Sequence, residues 1–445
     1  MSVIEVEIPA ETAVAATSAI VRIGFLGYGR VGQAVAELAA STARRSGGDT
    51  ELRPVAALVR DLAKPRVASG LGTPVQLTAG SSAFFERDLD VVVEAMGGVH
   101  PAYEYVRHAL EAGIPVVTAN KSLMAEKGKE LRAIAQRAGV SLAYEAAVLA
   151  GVPFIGAWAR RPLMGSPLRI TGILNGTSHF LTCALERGGS FENALAEAID
   201  RGYAEPDSAA DVSGRDAAEK LTILAHLSGC GDLKVSDLTT LGVDALTPVD
   251  FRAARALGGV IKPVATASFA TQNPGAWVGP ALVDASHAAA SSRGVHNFLE
   301  VHHSGFAGAP VTFAGPGAGP AVTAATILDD VSEVVSGGLN VFAPKPRTAI
   351  GPRDLQAPAA ASWFLRIHGG SLTFEDLAEH LAIHRLPAVR AARFEDVLAV
   401  RTVRGAWQTL QAAVDGLKAI GADVVAIPVI ESDDSNDGDA GNGCN

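Results

Sequence analysis

Cysteine is scarce in this sequence. Cys183, Cys230 and Cys444 are the only three, and no short spacing relates them. Disulfide frameworks and thiolate metal sites both use cysteines at short, recurrent intervals. The sequence therefore argues against both kinds of site and fits a protein of the reducing cytoplasm.

Long apolar runs and basic runs are also missing. No stretch reaches the roughly 20 apolar residues that a membrane-spanning helix requires. The N-terminal segment carries acidic residues where a signal peptide would carry basic ones. No Lys/Arg-rich stretch is interleaved with aromatic residues, so nothing predicts a nucleic-acid surface. We expect a cytoplasmic protein that binds neither membranes nor nucleic acid.

Aromatic residues make up only 5% of the chain, against 48% hydrophobic residues in total, so Ala, Val, Leu and Ile must build the core. This mixture is typical of helices packed on parallel strands and favours an α/β fold. A length of 445 residues allows two or three domains. The acidic segment 432–445 has almost nothing to bury, and we expect it and residues 1–17 to be flexible.

A glycine-rich turn follows the first apolar segment. Residues 20–26, "IVRIGFL", read as a buried strand, and Gly27, Gly29 and Gly32 follow before a helical run. In a dinucleotide-binding turn the first glycine permits the tight bend, the second admits the pyrophosphate, and the third allows close helix packing. The pattern predicts a cofactor site that also includes Arg30 and Val31, although a purely structural glycine turn stays open.

Strand and helix patterns alternate through the first 150 residues. Further strands are predicted at 54–59, 89–96, 114–119 and 140–148, with helices between them. Such alternation predicts a doubly wound parallel sheet of the Rossmann type over residues 18–150. Its ligands should lie at the carboxyl ends of the strands. The residues expected there are Met96, Gly97, Gly98, Asn120 and Lys121.

The residue that ends the second strand bears on the choice of cofactor. An acid at this position would accept from the ribose 2′-hydroxyl of NAD, whereas a base would meet the 2′-phosphate of NADP. The sequence has Arg60 here, with Lys64 and Arg66 close behind. We therefore expect NADP rather than NAD, with a solvated strand end as the alternative reading of Arg60.

The stretch "RGYAEPDSAADVSGRDAAEKL", residues 201–221, concentrates acids among alanines and glycines. On a helical wheel Asp216 and Lys220 share a column at the edge of an apolar stripe, while Arg215, Glu219 and His226 share a wetter column. An Asp and a Lys four residues apart are often only a surface ion pair. The acid-rich approach and a second lysine, Lys121, favour instead a site for an amino-acid substrate.

The motifs of this chain follow one another as in a known family. They include the glycine turn, "VVEAMGG", "TANK", "YEAAVLAGVP", "GILNGTSHF" and "GPGAGPAVTAATILDD". Their most specific member is Gly-Tyr-Ala-Glu followed by Asp211, Gly214, Asp216 and Lys220 at fixed spacing. The chain resembles homoserine dehydrogenases from about residue 18 to residue 340.

The resemblance implies reversible reduction of L-aspartate 4-semialdehyde to L-homoserine with NADP or NAD. It implies that Glu205 and Asp216 hold the substrate amino end, that Lys220 donates a proton to the aldehyde oxygen, and that Lys121 assists. The further residues implied at the substrate are Asp211, Gly176, Thr177 and Tyr203. Gly317 is implied near the cofactor, in a segment, residues 315–340, that returns to the cofactor domain.

The resemblance also implies a metal and a partner. A monovalent cation such as sodium would be held by Glu145 and by the backbone carbonyls of Val148, Ala150 and Val152. Residues 151–314 would form an α+β catalytic domain that also builds a homodimer.

The last part of the chain resembles a small regulatory fold. Residues 361–431 are similar to a degenerate amino-acid-binding ACT domain, for which the pattern predicts three strands and two helices. The loop typical of such domains after the first strand is replaced by "HGGSLTF", so a structural or dimerising role stands beside threonine feedback. This departure also leaves open a non-catalytic, dinucleotide-binding sensor.

Overall fold

The computed structural model describes residues 19–45, 50–66, 75–160, 167–230, 232–306, 309–337, 350–369, 372–394 and 396–432. The segments that the sequence predicts to be flexible, 1–17 and 432–445, lie outside these ranges except for Ser432, and so do Cys444 and the last three residues of the return segment 315–340. Within the described residues, no helix combines the length and the apolar character needed to cross a membrane.

The first part of the chain forms a parallel sheet with helices on both faces. Its elements are β1 Ala19–Leu26, α1 Arg30–Arg45, β2 Thr50–Leu58, β3 Gln76–Thr78, α2 Ser81–Phe85, β4 Val91–Glu94, α3 Ala102–Glu111, β5 Val116–Thr118, α4 Lys121–Ala138 and β6 Leu142–Ala143. In the described residues the strand order is β3-β2-β1-β4-β5-β6, all parallel. This is the order of a doubly wound dinucleotide-binding fold, so the predicted Rossmann-type sheet is confirmed.

The middle of the chain combines helices with antiparallel strands. Its elements are α5 Ile155–Ala159, β7 Pro167–Ile173, α6 Gly176–Glu186, α7 Phe191–Asp200, α8 Ala209–Val212, α9 Arg215–Leu227, α10 Pro248–Ala256, β8 Gly259–Ser268, β9 Gly275–Asp284, β10 His296–His303 and β11 Pro310–Pro316. The next helix, α11 (Pro320–Val335), packs its buried Ile327 and Val331 into the cluster that contains Val35 of α1 and Phe25 of β1.

The C-terminal part has one strand more than the sequence pattern predicts. Its elements are β12 Trp363–His368, α12 Phe374–Ile383, β13 Ala388–Phe394, β14 Val397–Thr402, α13 Trp407–Ala419 and β15 Asp423–Ile430. The prediction of three strands is wrong because β13 is a largely exposed edge strand, and Arg390 and Arg393 interrupt its apolar residues. The resulting order of elements is βαββαβ, as in ferredoxin-like folds.

The C-terminal strands continue the sheet of the middle part. β15 pairs in parallel with β9 through Val429 opposite Leu282 and Ile430 opposite Val283. Within the described residues the combined sheet has nine strands in the order β11-β10-β7-β8-β9-β15-β12-β14-β13. The two parts therefore share backbone hydrogen bonds and not only side-chain contacts.

Helix α9 differs from the predicted amphipathic helix because it is buried on every side. All residues from Asp216 to Leu227 are buried, including Glu219 and His226 of the predicted wetter column, and only Arg215 is exposed. The helix lies between α4 and β8, so that both of its polar columns face protein. Charged groups in such a position must have partners, because an isolated buried charge is very costly.

Candidate active site

The glycine turn lies between β1 and α1, and its three glycines differ in their surroundings. Gly27 has a φ of +88°, and its N–H donates to the carbonyl of Leu58 at 3.0 Å. A Cβ on Gly29 would meet nothing within 4 Å, whereas a Cβ on Gly32 would lie 2.7 Å from the carbonyl oxygen of Gly27. The second glycine thus leaves open space beside the turn, and the third holds the helix against it, which is the geometry that a pyrophosphate requires.

A buried carboxylate organises the opposite rim of this sheet edge. Glu94, fully buried at the end of β4, accepts from the backbone N–H of Met96 at 2.7 Å, from Asn120 Nδ2 at 3.2 Å and from the Thr118 hydroxyl. Asn120 Nδ2 also donates to the carbonyl of Gly98 at 2.6 Å. Burial raises the pKa of Glu94 despite these donors. The network fixes the loop after β4 relative to the start of α4.

Sequence reasoning missed Glu94, although an acid inside the apolar run "VVVEAM" is itself a signal that its carboxylate must be satisfied by nearby donors. The predicted residues Met96, Gly97 and Gly98 lie in the loop that Glu94 holds, with positive φ at both glycines. Arg30 and Val31 begin α1, next to the glycine turn.

The two arginines near the end of β2 are placed differently. Arg60 is exposed, while Arg66 folds back so that its Nε donates to the carbonyl of Tyr28, inside the glycine turn, at 3.3 Å. Arg66 also donates to the carbonyls of Lys64 and Asp61 at 3.0 and 2.9 Å. The structure therefore brings Arg66 to the turn and leaves Arg60 at the surface.

The catalytic lysines expected from the sequence meet at one carboxylate. Asp216 Oδ2 lies 2.9 Å from Lys220 Nζ, and Asp216 Oδ1 lies 3.1 Å from Lys121 Nζ. Lys220 also donates to the carbonyl of Leu174 at 2.7 Å. The Asp216 and Lys220 side chains are only 9% and 10% exposed, whereas that of Lys121 is 38% exposed. Of the two ammonium groups, the Lys121 group is thus the more accessible to solvent.

Asn175 joins this cluster to a second acid, and sequence reasoning missed it. Its Nδ2 donates to Asp211 Oδ1 at 2.7 Å and to Asp216 Oδ2 at 2.8 Å, while its Oδ1 accepts from the N–H of Ser178 at 2.7 Å. Asn175 is therefore both the N-cap of α6 and a bridge between two carboxylates. An asparagine directly before a helical run predicts an N-cap. The contact of Asn175 with both carboxylates could not be predicted, because it depends on how α6, α8 and α9 meet in the fold.

The charges in this cluster set the ionisation of its acids. Burial alone would raise the pKa of Asp216, but the charges of Lys220 and Lys121 outweigh burial and hold that pKa at about 2. Burial also acts to lower the pKa of Lys121, yet the nearby carboxylates, chiefly Asp216, raise it. Asp216 is therefore an anion, and Lys121 a cation, at neutral pH.

The remaining residues expected at the substrate lie around this cluster, with one exception. Gly176 begins α6, and the Thr177 hydroxyl donates to the carbonyl of Tyr203 at 2.7 Å. Burial raises the pKa of Asp211, with a smaller contribution from the charge of Asp216. Glu205 is exposed on the loop before α8 and has no hydrogen bond or ion pair with another described residue. The structure thus does not bring Glu205 into the cluster.

The residues implied for a metal belong to one buried segment. Both oxygens of Glu145 accept backbone N–H groups: Oε1 from Phe154 and Ile155 at 2.8 Å each, and Oε2 from Gly156 at 2.5 Å. The carbonyl of Ala150 accepts from the Thr326 hydroxyl. Val148 and Val152 flank Ala150 in the same turn. No cluster of three or more His, Cys, Asp or Glu side chains suited to a metal occurs among the described residues.

Gly317 lies where the chain crosses back toward the cofactor domain. Its carbonyl accepts from the N–H of Ala150 at 3.1 Å, and a Cβ at this position would overlap Asn297 Oδ1. Asn297 in turn donates to the carbonyl of Ile173 at 2.7 Å. Only glycine fits this crossing without displacing Asn297.

Fold and site together define a class of protein. A dinucleotide-binding sheet presents an open glycine turn. Lys121, at the start of the helix α4 that follows β5 of that sheet, contacts the buried Asp216 of α9, which also pairs with Lys220. This combination is that of a nicotinamide-dependent dehydrogenase, in which an ammonium group can exchange a proton with a substrate oxygen.

Comparison with known proteins narrows the class to one family. A model of the homoserine dehydrogenase NAD-binding domain matches residues 27–145, and a model of homoserine dehydrogenase matches residues 153–332. The homoserine dehydrogenase of Corynebacterium glutamicum is 39% identical over 325 residues, which are 70% of this chain and 71% of that protein. The chain belongs to the homoserine dehydrogenase family.

Solved structures agree with this assignment. The homoserine dehydrogenase of Thiobacillus denitrificans superposes with a TM-score of 0.80 at 31% identity, over 93% of this chain and 98% of that chain. A hyperthermophilic archaeal homoserine dehydrogenase in complex with NADPH superposes with a TM-score of 0.61 at 24% identity, over 73% of this chain and 100% of that chain, and shares the fold. The activity is therefore the interconversion of L-aspartate 4-semialdehyde and L-homoserine.

Proposed function

We propose that Lys220 is the proton donor to the aldehyde oxygen. The observation that carries this proposal is the position of its ammonium group, which is buried and held at 2.9 Å by Asp216 and at 2.7 Å by the carbonyl of Leu174. An ammonium group has three N–H donors, and these contacts use two of them. The third N–H is left for a substrate oxygen, and fixed donors of this kind stabilise a developing alkoxide.

The acids around Lys220 suit the amino end of the substrate. Asp216 is already engaged by two ammonium groups, those of Lys121 and Lys220. The carboxylate of Asp211 accepts only from Asn175 among the described residues, so it has lone pairs left for the ammonium group of the substrate. We assign the substrate ammonium to Asp211 and Asp216, with Glu205 closing over it from the exposed loop. On the same side of the substrate we place Tyr203, Gly176 and Thr177. The role assigned to Lys121 is to keep Asp216 ionised through their ion pair.

The bound dinucleotide supplies or accepts the hydride. The chain's own contribution is to hold its pyrophosphate at the open side of Gly29, against the N-terminus of α1, where backbone N–H groups favour an anion. The loop fixed by Glu94 and Asn120 lies across the same sheet edge as Lys121. With Lys121 on that edge, the lysines would lie beside the bound cofactor and would orient the substrate carbonyl before reaction.

The test is oxidation of L-homoserine with NADP or NAD, followed by the absorbance of the reduced nicotinamide. Lys220→Ala should lower kcat by about a hundredfold or more, the scale of general acid–base catalysis. Lys129→Ala is the matched control, because that lysine is 62% exposed on α4 and pairs only with Asp232 among the described residues. A rate for Lys220→Ala close to that of the control would reject the assigned role.

The same assay addresses a non-catalytic dinucleotide sensor. Such a protein would bind the cofactor without turnover, but here both lysines and the carboxylate that pairs with them are present and in contact. No observation in the structure or in the relatives favours the sensor. Turnover with either cofactor rules it out, and tight cofactor binding without turnover would establish it.

We infer a preference for NADP over NAD. The supporting observations are the exposed Arg60 at the carboxyl end of β2 and the contact of Arg66 with the glycine turn. The neighbouring acid, Asp61, accepts from the N–H of Ala63 at 2.8 Å in its own turn. Arg60→Ala should lower kcat/KM for NADP about tenfold and leave NAD unchanged, as expected for one lost phosphate contact. Equal losses for both cofactors would contradict this assignment.

We also propose that the Glu145 segment holds a monovalent cation such as sodium. The proposed ligands are the carboxylate of Glu145 and the backbone carbonyls of Val148, Ala150 and Val152. All of them are oxygen atoms, which hard cations prefer. A second buried acid, Asp330, accepts from the N–H of Glu145 at 3.1 Å, so a cation would offset two adjacent acids. Replacing sodium with choline should lower the melting temperature of the wild type more than that of Glu145→Gln.

We further propose a cytoplasmic homodimer that acts in threonine, methionine and isoleucine biosynthesis. The edge strand β11 is exposed at alternate residues and has β10 as its neighbour in the described part of the chain, so a second copy could add to this edge. The buried free thiols Cys183 and Cys230 suit a reducing compartment. Light scattering of the purified protein should give twice the chain mass of 45.6 kDa.

A further inference from the structure

Glu219 is a buried acid of α9 whose charge the catalytic cluster does not explain. Its side chain is only 8% exposed, although Asp216 and Lys220 already form the ion pair of this helix. Within the described residues two groups contact its oxygens: Oε2 accepts from the Ser122 hydroxyl at 3.0 Å, and Oε1 lies 3.6 Å from Nε of Arg215, whose side chain is 71% exposed. So exposed a partner contributes little. An amide could accept from the same hydroxyl at a lower desolvation cost, so the buried charge itself requires an explanation.

The contact of Glu219 with Ser122 joins two parts of the molecule. Ser122 is the second residue of α4, which follows β5 of the cofactor sheet, whereas Glu219 lies in α9 of the middle part. The preceding residue of α4, Lys121, contacts Asp216 at 3.1 Å, and Asp216 lies one turn before Glu219 on α9. Two consecutive residues of α4 are thus bonded to two neighbouring positions on α9. A single contact would let the start of α4 pivot, whereas two restrict its rotation as well as its distance.

The other side of this helix end is fixed to the cofactor sheet. Asn120, the N-cap of α4, accepts from the N–H of Leu123 at 3.1 Å, and its Nδ2 donates to the buried Glu94 at 3.2 Å and to the carbonyl of Gly98 at 2.6 Å. Because these bonds fix the backbone just before Lys121, the flexible part is the lysine side chain, an aliphatic stem that is 38% exposed. The direction of its ammonium group therefore depends on the charges around it.

The charges that face Lys121 come from two helices of the middle part. The acids are Asp216 and Glu219 of α9 and Asp211 of α8, and Lys220 lies at the other oxygen of Asp216. Burial acts to lower the pKa of Lys121, but Asp216, followed by Glu219 and Asp211, raises it. Asp216 is shared with Lys220, whereas Glu219 forms no ion pair with a lysine in the described part of the chain. Glu219 thus acts on Lys121 as a nearby charge and through the adjacent Ser122.

We propose that Glu219 is a positioning residue for Lys121. Its hydrogen bond to Ser122 holds the start of α4 against α9, and its negative charge keeps the Lys121 ammonium group turned toward Asp216 and away from solvent. The consequence for catalysis rests on the proposed function, in which Lys121 keeps Asp216 ionised beside Lys220. The effect of Glu219 on Lys121 can be measured without turnover.

Two variants separate the charge of Glu219 from its hydrogen bond. Glu219→Gln keeps an acceptor oxygen for the Ser122 hydroxyl and removes the charge, whereas Ser122→Ala keeps the charge and removes the hydrogen bond. Both residues line an open surface groove beside α4, so these small changes should leave the chain folded, and circular dichroism checks this. Glu126→Gln is the matched control, because it removes an exposed acid of α4 from the same groove.

The first measurement is the rate at which trace acetic anhydride acetylates Lys121 in the full chain, followed by mass spectrometry of its peptide. Only the neutral amine reacts, so a lysine that has lost a neighbouring negative charge reacts faster at a given pH. At about pH 8 we expect Glu219→Gln to raise the rate at Lys121 roughly three- to tenfold, and Glu126→Gln to leave it unchanged. Equal rates at Lys121 in the wild type and in Glu219→Gln would overturn the proposal, whatever the turnover of either protein.

Homoserine oxidation then measures the consequence. Both Glu219→Gln and Ser122→Ala should lower kcat/KM roughly three- to tenfold, because each loosens the placement of Lys121, and Glu126→Gln should not. Faster acetylation of Lys121 with an unchanged kcat/KM would support the positioning by Glu219 and would count against the part assigned to Lys121 in the reaction. A wild-type kcat/KM in Ser122→Ala would overturn the role of the hydrogen bond.

Discussion

At the scale of single residues, Asp216 determines the charge balance of the site. Its carboxylate is buried between two ammonium groups, and the charges of these groups hold its pKa at about 2 despite burial. Removing the negative charge would leave Lys220 buried beside an uncharged amide. The Asp216 carboxylate thus contributes to stability as well as to catalysis.

Asp216→Asn keeps the shape of the side chain and removes its charge. We expect the free energy of unfolding to fall by about 3 kcal/mol, as for other broken buried ion pairs, and kcat/KM to fall with it. Urea denaturation gives the first quantity and homoserine oxidation the second. Asp232→Asn is the matched control, because Asp232 pairs with Lys129 in solvent. A loss no larger than in this control would show that Asp216 is not a required partner of Lys220.

Asn175 offers a residue-scale test of positioning. Asn175→Ala removes the donor shared by Asp211 and Asp216, and we expect kcat/KM for homoserine to fall by roughly ten- to a hundredfold, mainly through KM. The substitution also removes the N-cap of α6. Ser190→Ala removes an equivalent N-cap from α7, where the Ser190 hydroxyl accepts from the N–H of Asn193 at 3.3 Å and bonds neither acid, and it should cost stability without changing KM. Similar KM values for the two variants would mean that Asn175 acts only as a cap.

The residues of this site were predictable from sequence to different degrees. Asp216, Lys220 and Lys121 follow from spacing and family resemblance, and the structure brings them into contact. Asn175 and Glu94 were not predicted, because their roles depend on which chain segments meet across the fold. Glu205 remains exposed, so its predicted part in binding stays a prediction.

At the scale of elements, apolar runs predicted the strands described in the cofactor sheet, apart from the three-residue edge strand β3, Gln76–Thr78. These strands are buried on both faces and therefore read as continuous Val- and Ala-rich runs, such as Val91–Glu94. The edge strand β13 was missed because none of its residues is fully buried. The helical wheel of α9 placed Glu219 on a solvent-facing side. In the structure Glu219 is buried and accepts from the Ser122 hydroxyl of α4 at 3.0 Å. A helical wheel cannot show that a second element covers the polar face.

The glycine turn gives an element-scale prediction with an internal control. Gly29→Ala should leave the free energy of unfolding unchanged or raise it by about 0.5 kcal/mol, because a Cβ there meets nothing, yet it should abolish tight dinucleotide binding. Gly32→Ala should lower stability, because its Cβ would lie 2.7 Å from the carbonyl oxygen of Gly27. Calorimetric titration and thermal melts separate the two effects. Normal cofactor affinity in Gly29→Ala would argue against a pyrophosphate at this position.

At the scale of the whole molecule, buried histidines link stability to pH. Burial lowers the pKa of His226 to about 4, and its Nε2 donates to the carbonyl of Leu233 at 2.7 Å. Because the folded-state pKa lies below the unfolded value of about 6.5, the unfolded chain binds more protons in between. The stability due to neutral His226 is fully present above pH 6.5 and is lost as the pH falls toward 4.

His226→Gln tests this linkage, because an amide can keep the hydrogen bond without titrating. Between pH 7 and pH 4 the wild type should lose on the order of 3 kcal/mol more unfolding free energy than the variant. The difference between the two proteins isolates this group from all others that titrate. His100→Gln, at an exposed histidine, should instead reproduce the wild-type profile. Parallel profiles for His226→Gln and the wild type would show that His226 does not titrate as described.

The parallel pairing of β15 with β9 limits how the C-terminal part can be removed or exchanged between relatives. Val429 and Ile430 complete the hydrogen bonding of β9, so the C-terminal part is built into the same sheet as the middle part. Truncation before β12 would leave the backbone of Leu282 and Val283 unpaired at an apolar sheet edge, and we expect such a protein to aggregate. Any chimaera that exchanges this part between relatives must therefore transplant a matching strand, with its register, and not merely a module.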